Sequence, residues 1–305
     1  MQEHRKTEIV ETIYGQRLLA FTGDTITRKI RKKGCYDIRT VEFMRHYLKY
    51  VNDARPDTGE VSSIYADIGA NIGNHALPVA SLCRHMYLFE PISKVADVLR
   101  SNLKCNRIEN FTLLRMALSD FPRRAPIYIR KGNIGASSIN RDQMVEKGDD
   151  LSQNELIHID TGDKVLGEQN LERLDLVKID VESHEAEVVL GMSRVIERFR
   201  PVIILEWNHP LTAERFEQLG LFERIFTGYI ALSISDNHRA EHWKGKWLGM
   251  LRRNACHLMT RRRLRLEKFN PYSLYKNIVL FPEDKQSLVL GCAHRPIPDR
   301  IIGNL

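Results

Sequence analysis

Long apolar runs are missing from this chain of 305 residues. No stretch offers the roughly 18 consecutive apolar residues that a membrane-spanning helix needs, and charges interrupt the N-terminal segment throughout. The sequence therefore predicts neither a spanning helix nor a secretory signal. Cysteine is scarce as well, because the five cysteines are scattered and include no CxxC pair. This excludes a disulfide framework and a zinc site of the usual spacing, and we predict a cytoplasmic protein.

Internal repeats and low-complexity tracts are also absent. Hydrophobic residues make up 43% of the chain and charged residues 28%, which is typical of a globular protein. The length suffices for one large α/β domain with additions, which can bury a sizeable core.

The positive charge is concentrated in one segment. The net charge is +7, and residues 238–268 contain ten Lys or Arg against two Asp or Glu, which leaves 36 basic and 37 acidic residues elsewhere. Apolar side chains within the segment share one helical face: Trp243, Trp247, Met250, Leu251 and Leu258. We predict a basic amphipathic insert, which either packs on the domain or recruits an anionic acceptor, including one at an anionic inner membrane face.

Short β-branched runs alternate with helical patterns from residue 61 onward, which is typical of βαβ units around a parallel sheet. The predicted strands are Ser63–Ile68, Met86–Phe89, Phe111–Met116, Ala125–Ile129, Leu176–Ile179, Val202–Glu206, Tyr229–Ile234 and Asn277–Phe281. The predicted helices between them are Ala76–Cys83, Ser93–Asn106, Glu185–Met192 and Thr212–Leu219. Residues 1–60 predict an N-terminal helical cap and linker around a helix at Thr40–Val51, and residues 283–305 predict a C-terminal tail.

The stretch YADIGANIGNH carries the first chemical signal, with glycines at 69 and 73 after a predicted strand. Gly69 allows close backbone approach to a ligand, Gly73 lets the following helix pack near the strand, and Asn71 tolerates a left-handed turn. A plain turn is the alternative. Glu90 lies 21 positions after Gly69 at the end of the next strand, near the spacing at which a carboxylate accepts the hydroxyls of a ribose.

The charge of this turn favours a cationic ligand. Asp67 repels a pyrophosphate, and Asn71 stands where a dinucleotide fingerprint has its second glycine. A dinucleotide oxidoreductase is therefore disfavoured. An acidic mouth suits the sulfonium and amino group of S-adenosylmethionine.

With these residues placed, the chain resembles the FkbM-type S-adenosylmethionine-dependent methyltransferases. The matching pieces are DIGANIG at 67–73, FEP at 89–91, ALSD at 117–120, VKIDVE and HE within 177–185, the strand ending at Glu206, and YKNIVLFP at 275–282. The resemblance implies an α/β fold with a Rossmann-like class I methyltransferase sheet, mostly parallel with the last strand antiparallel. Ser183 departs from the pattern, because the family usually has glycine there.

The resemblance also implies roles for particular residues. Asp67, Gly69, Asn71 and Gly73 are expected at the methionine end of the cofactor, Glu90 at its ribose, and Ala117, Leu118 and Ser119 at its adenine. Family members commonly methylate hydroxyls of sugars, natural products and cell-envelope glycans. We therefore predict O-methylation of a glycan, glycolipid or natural product.

Polar residues after the strand Leu176–Ile179 are the candidate catalytic groups. Histidine has the pKa best suited to general-base work, so His184 is one candidate, with Asp180 and Glu182 beside it. His184 could instead cap the next helix. Asp180, Glu182 and His184 are metal-compatible ligands, but no spaced partner elsewhere completes a set, and we predict no metal. Glu206 and Asn208 are predicted acceptor contacts or parts of a helix-initiating turn.

Two other functions stay open. A nucleic-acid methyltransferase is suggested by the basic segment, although DVES stands where enzymes that modify exocyclic amines usually have Asn or Asp before Pro-Pro-aromatic. A non-catalytic binding module on the same fold is the second alternative. Neither the acceptor nor the oligomeric state follows from the sequence.

Overall fold

The computed structural model describes residues 6–55, 61–130, 137–139, 151–236 and 263–298. Its strands are β1 (Thr7–Glu11), β2 (Arg17–Phe21), β3 (Ile64–Ile68), β4 (His85–Phe89), β5 (Phe111–Leu114), β6 (Ala117–Leu118), β7 (Arg123–Arg130), β8 (Leu151–Asp160), β9 (Leu176–Ile179), β10 (Val202–Trp207), β11 (Tyr229–Asp236), β12 (Leu264–Lys268) and β13 (Tyr275–Pro282). Its α-helices are α1 (Thr25–Lys33), α2 (Ile38–Asp53), α3 (Ala76–Val79), α4 (Ser93–Cys105), α5 (Gly162–Gly167), α6 (Glu185–Gly191), α7 (Ser193–Phe199), α8 (Pro210–Gln218), α9 (Leu221–Arg224) and α10 (Gln286–Leu290). None of these helices is long and apolar enough to cross a bilayer.

The main sheet has eight strands in the order β12-β11-β13-β10-β9-β3-β4-β5. The five strands from β10 to β5 in that order are mutually parallel, whereas β13 is antiparallel to both β10 and β11. This confirms the predicted α/β sheet with an antiparallel last strand. Its central strands are buried along their whole length and mostly apolar, as expected when helices cover both faces, with the exceptions of Asp67, Lys178 and Glu206.

The strand β3 lies at the point where the strand order reverses. From β3 the chain continues to β4 on one side, and β9 pairs with β3 on the other side. Ligands of such sheets bind in the crevice beyond the carboxyl ends of the strands at this point. The loops after β3, β4 and β9 therefore surround the position where a ligand is expected.

Several elements differ from the sequence prediction. The predicted strand Ala125–Ile129 lies within β7, which pairs with β8 in a separate three-stranded sheet of order β6-β8-β7 and is not part of the main sheet. The predicted helix Ala76–Cys83 is shortened to α3 and a 3₁₀ turn at Ala80–Leu82, as expected from Pro78. The strands β8 and β12 were not predicted.

The N-terminal segment is only partly helical. A hairpin of β1 and β2 precedes α1 and α2, and the predicted helix Thr40–Val51 lies inside α2. The hairpin and α2 share one hydrophobic cluster with helix α4 and the sheet. At the other end, α10 packs on α2, with the Tyr50 hydroxyl donating to the carbonyl of Gly291 at 3.1 Å. The predicted amphipathic face of the basic segment lies outside the described residues, and residues 264–268 form β12.

Candidate functional site

The loop after β3 needs glycine at two positions. Gly69 has a φ of 85°, and a β carbon there would overlap the carbonyl oxygen of Asp180. Gly73 has a φ of 92°, and a β carbon there would press into Leu77 and Leu99, so its absence lets the helices pack against the loop. Asn71, with a φ of 51°, accepts a hydrogen bond from the backbone of the next residue. Because these glycines carry no side chains, a ligand can approach the backbone of the loop closely.

Glu90 directly follows strand β4 and is hydrogen-bonded to this loop. Its carboxylate accepts hydrogen bonds from the backbone N–H of Asn71 at 3.0 Å and of Ile92 at 2.9 Å. Burial raises the pKa of Glu90 to about 7, against the effect of these two hydrogen bonds. The carboxylate is thus held in one position beside the point where the strand order reverses.

A cleft opens between these loops and encloses about 660 Å³, including its open mouth. Predicted site residues that line it are Gly69, Asn71, Glu90, Ala117, Leu118, Asp180, Glu182 and His184. Lining residues that the prediction missed are chiefly apolar or small, among them Ile92, Met116, Ile127, Ser138, Ile139 and Val181. They come from five separated parts of the chain and have no motif, so only the fold brings them together.

Ser119 and His184 hold two walls of the cleft together. The Ser119 hydroxyl lies 2.8 Å from Nε2 of His184, and Nδ1 of His184 lies 3.4 Å from the Glu187 carboxylate. Burial lowers the pKa of His184, which favours the neutral imidazole. Ser119 is fully buried behind the lining. His184 therefore has polar partners at both ring nitrogens, in addition to lining the cleft.

A buried lysine lies beneath the loop. Lys178 on β9 is 1% exposed, and its ammonium lies 2.9 Å from Asp180 and 3.9 Å from the fully buried Asp67. Burial raises the pKa of Asp67. Burial also opposes the charge of Asp180, but the charge and hydrogen bond of Lys178, together with His75 and Glu206, outweigh it and lower the pKa. Asp67 supports the loop from below and does not line the cleft. In the sequence, the feature that could have predicted this buried ion pair is the lysine within the otherwise apolar strand β9.

Three carboxylates converge at the carboxyl ends of β9 and β10. One oxygen each of Asp180, Glu182 and Glu206 lies within 4.8 Å of the other two. Asn208 donates to Oε1 of Glu206 at 2.6 Å. Burial and the neighbouring charges of Asp180 and Glu182 raise the pKa of Glu206 well above its ordinary value. We call these three residues the acidic trio.

The N-terminal segment reaches the same region. Asp37, whose side chain is 5% exposed, accepts hydrogen bonds from Lys276 at 2.9 Å and Asn277 at 2.7 Å, and His75 lies 3.7 Å away. Burial, followed by the negative charges of Asp180 and Asp37, raises the pKa of Tyr36. Sequence reasoning missed this group, because its members lie up to 240 positions apart.

Comparison with known proteins identifies a family. The family model described as the methyltransferase FkbM domain matches residues 67–231. No curated protein matches the chain.

Solved structures share the general arrangement at low identity. A methyltransferase FkbM from Methylobacillus flagellatus KT is 14% identical, with a TM-score of 0.43, over 73% of this chain and 44% of that one. An rRNA methylase from Streptococcus thermophilus is 9% identical, with a TM-score of 0.39, over 77% and 92%. The O-methyltransferase TomG from Streptomyces achromogenes is 9% identical, with a TM-score of 0.37, over 78% and 77%. The chain thus spans less than half the length of the M. flagellatus protein.

Proposed function

The chain belongs to the FkbM family of methyltransferases, and we propose that it methylates a hydroxyl group of a glycan, a glycolipid or a natural product. S-adenosylmethionine is the cofactor. The observation that carries the proposal is the position of Asp180. It belongs to the acidic trio, and its backbone N–H also donates a hydrogen bond at 3.0 Å to the carbonyl of Ile68, at the end of β3 just before the loop that lines the cleft.

The residues of the cleft fit this cofactor. Gly69 leaves room for backbone approach, and Glu90 presents a buried carboxylate where a ribose diol needs an acceptor. Ala117 and Leu118 offer an apolar wall for adenine. We propose that Asp67 acts on the methionine end through the loop above it.

Alignment is the main contribution of the protein to methyl transfer, since the bound cofactor supplies a methyl carbon already activated by its sulfonium. A hydroxyl acceptor must also lose its proton. The acidic trio orients the hydroxyl by accepting its hydrogen bond, and a carboxylate of the trio takes the proton. Asn208 fixes the Glu206 carboxylate, so Glu206 and Asn208 contact or position the acceptor. His184, which we propose orients the cleft wall through Ser119, is the alternative base.

Cofactor binding is tested by thermal unfolding with and without saturating S-adenosylmethionine. We expect a rise in Tm that Glu90→Ala diminishes, because the variant loses the ribose acceptor. Glu155→Ala, which removes a more exposed carboxylate bonded to Ser93, serves as the control. The absence of both a Tm shift and calorimetric binding contradicts the proposal.

The acceptor class is tested with radiolabelled cofactor and separated cell-envelope glycan, lipid and RNA fractions. We expect label in a glycan or lipid fraction, as an ether that survives mild alkali. Asp180→Asn should retain cofactor binding and lose transfer. Label confined to RNA would instead support the nucleic-acid methyltransferase, and cofactor binding without any transfer would support the binding module.

The basic segment is proposed to recruit an anionic acceptor or an anionic membrane. Strand β11 runs parallel to β10, so the chain leaves Asp236 at the same sheet edge as the acidic trio and enters this segment there. Neutralising Arg252, Arg253 and Arg261–Arg263 should reduce pelleting with anionic liposomes and leave binding to neutral liposomes unchanged. Unchanged pelleting with anionic lipid contradicts the membrane version of this proposal.

A further inference from the structure

The acidic trio is assembled by strand order. Asp180 and Glu182 follow β9, and Glu206 lies near the end of β10, which pairs with β9 in parallel register from Val202 to Leu205. The register brings the residue after each paired segment to the same edge of the sheet. Three carboxylates are thereby held within 4.8 Å of one another at a site that the sequence distributes over 27 positions.

The Glu206 carboxylate is an independent sign that a cation belongs there. Glu206 is 7% exposed, and its Oε2 has no hydrogen-bond partner among the described residues. A buried carboxylate oxygen without a donor or cation is unfavourable, and two further carboxylates beside it add repulsion. Asn208 occupies Oε1, so the unpartnered oxygen is the one left for a ligand.

Lys178 pairs directly with Asp180 and Asp67 rather than with Glu206. Its ammonium contacts Asp180 at 2.9 Å and Asp67 at 3.9 Å, and it forms no ion pair with Glu206 in the described part of the chain. The lysine therefore offsets charge on the β3 side of the trio. Among the residues that the structure describes, no lysine or arginine forms an ion pair with Glu206 on the β10 side.

We propose that Asp180, Glu182 and Glu206 bind one divalent cation of the Mg²⁺ or Mn²⁺ type. Carboxylate oxygens are the ligands that these hard cations prefer. Bonds of about 2.0–2.1 Å place opposite ligand oxygens about 4.2 Å apart, which lies within the observed limit of 4.8 Å. In octahedral coordination, three protein oxygens leave three positions for water and acceptor oxygens.

The cation gives the proposed O-methylation a more specific mechanism, and in this respect the inference rests on the proposed function. The acceptor hydroxyl coordinates the cation, which lowers the pKa of the hydroxyl. Because the three carboxylates then bind the cation, the proton passes to solvent water instead of to the trio. The oxygen then forms a bond to the methyl carbon as the carbon–sulfur bond breaks. The bonding electrons remain on sulfur, and S-adenosylhomocysteine leaves uncharged at that atom. The acceptor class that fits best is a hydroxyl with a second oxygen nearby that also coordinates the cation.

The test measures Mn²⁺ alone, before any acceptor is known. The full chain is treated with chelator, dialysed and titrated with Mn²⁺, with free ion followed by electron paramagnetic resonance. We expect one Mn²⁺ per chain, at least tenfold weaker binding in Glu206→Gln, and competition by Mg²⁺. Glu172→Gln is the matched control, because it removes an exposed carboxylate at the opposite edge of the sheet, before β9.

Measurements of Tm and of methyl transfer distinguish a failure of the cation site from a failure of the proposed function. Glu206→Gln should raise the Tm of the metal-free protein, since it removes an unpartnered buried carboxylate, and this verifies that the variant folds. No bound Mn²⁺, or equal binding in wild type and Glu206→Gln, overturns the cation site. If S-adenosylmethionine still raises Tm and methyl transfer survives chelation, the proposed function stands without the cation. If S-adenosylmethionine does not bind, the proposed function itself fails.

Discussion

Gly69 lies where the backbone has no room for a side chain. Its φ of 85° is left-handed, and a β carbon there would overlap the carbonyl oxygen of Asp180. Gly23 has a similar φ of 79°, but a β carbon there meets nothing within 4 Å. A comparison of the two positions separates two contributions to the free energy of unfolding. The left-handed backbone occurs at both positions, whereas displacement of the loop after β9 is required only at Gly69.

Alanine substitutions at these positions should therefore differ. We expect Gly23→Ala to lower the free energy of unfolding by about 1–2 kcal/mol, from the backbone conformation alone. Gly69→Ala should cost more and should also weaken S-adenosylmethionine binding, because Asp180 must move. Urea denaturation and calorimetric titration measure the two effects. Equal stability losses with unchanged cofactor affinity would show that the Asp180 backbone yields without consequence.

Glu90 should make stability depend on pH in the cofactor-free protein. Its folded pKa of about 7 exceeds the ordinary value of 4.5, so the folded chain holds a proton that the unfolded chain releases. The resulting stabilisation is complete below pH 4.5 and is lost as pH rises to about 7. Its size is about 3 kcal/mol at 1.4 kcal/mol per pKa unit.

Glu90→Gln removes this titration, and urea denaturation between pH 4.5 and 7.5 measures it. The amide must place its nitrogen against one of two backbone donors, so the variant is less stable at low pH. The decisive quantity is the slope of stability against pH, which should be shallower in Glu90→Gln. Parallel slopes in the two proteins would contradict the raised pKa.

At the scale of elements, the periodicity of the sequence predicted those helices and strands whose signals are local. Helix α4 and the buried strands β3, β9 and β10 were predicted nearly at their bounds, because mostly apolar runs and helical spacing are local signals. The hairpin of β1 and β2 was missed. Its strands are only five residues each, and the contacts that hold the hairpin on the fold are with the distant helix α4.

The candidate site was predictable in its parts and not in their grouping. Gly69, Glu90 and Asp180 follow strands, and the carboxyl ends of parallel strands meet at one edge, so their proximity could be expected. The meeting of Glu182 with Glu206 depends on which strands are neighbours. The pairing of His184 with Ser119 depends on the path of α6, which the sequence does not show.

Two asparagines, Asn102 on α4 and Asn106 directly after it, attach the N-terminal hairpin to the rest of the fold. Asn102, 1% exposed, binds both the N–H and the carbonyl of Leu19 and donates to the carbonyl of Ile72 in the glycine loop at 2.8 Å. Asn106 binds the N–H and carbonyl of Arg17 at the more exposed end. Asn102 therefore joins the hairpin to the loop after β3.

Removal of these amides should have unequal effects. Asn102→Ala leaves buried backbone groups of β2 and the loop without partners, at about 1–3 kcal/mol each, so we expect a total loss of roughly 3 kcal/mol and weaker cofactor binding. Asn106→Ala should cost less than about 1 kcal/mol, since water replaces the amide. Urea denaturation and cofactor titration compare the two. Similar losses in both variants would mean that the hairpin is held by its apolar contacts.

At the scale of the whole molecule, Asp37 joins three parts of the chain. It precedes α2, accepts hydrogen bonds from Lys276 and Asn277 on β13, and lies near His75 after the glycine loop. Burial opposes its charge, but Lys276 and His75 outweigh burial and lower the pKa of Asp37 below its ordinary value of 3.8. One carboxylate thus holds together the N-terminal segment, the last strand of the sheet and the segment that follows the loop after β3.

We expect Asp37→Asn to lower the free energy of unfolding at neutral pH by about 3 kcal/mol, because Lys276 loses a buried partner. The folded pKa is depressed, so this contribution is complete above pH 3.8 and is lost as pH falls below it. The difference between wild type and variant in urea denaturation should therefore shrink below about pH 4. Asp97→Asn, which breaks an exposed pair with Arg115, should change stability by less than about 0.5 kcal/mol. A gap for Asp37→Asn that stays constant down to pH 3 would show that shape, not charge, fixes this joint.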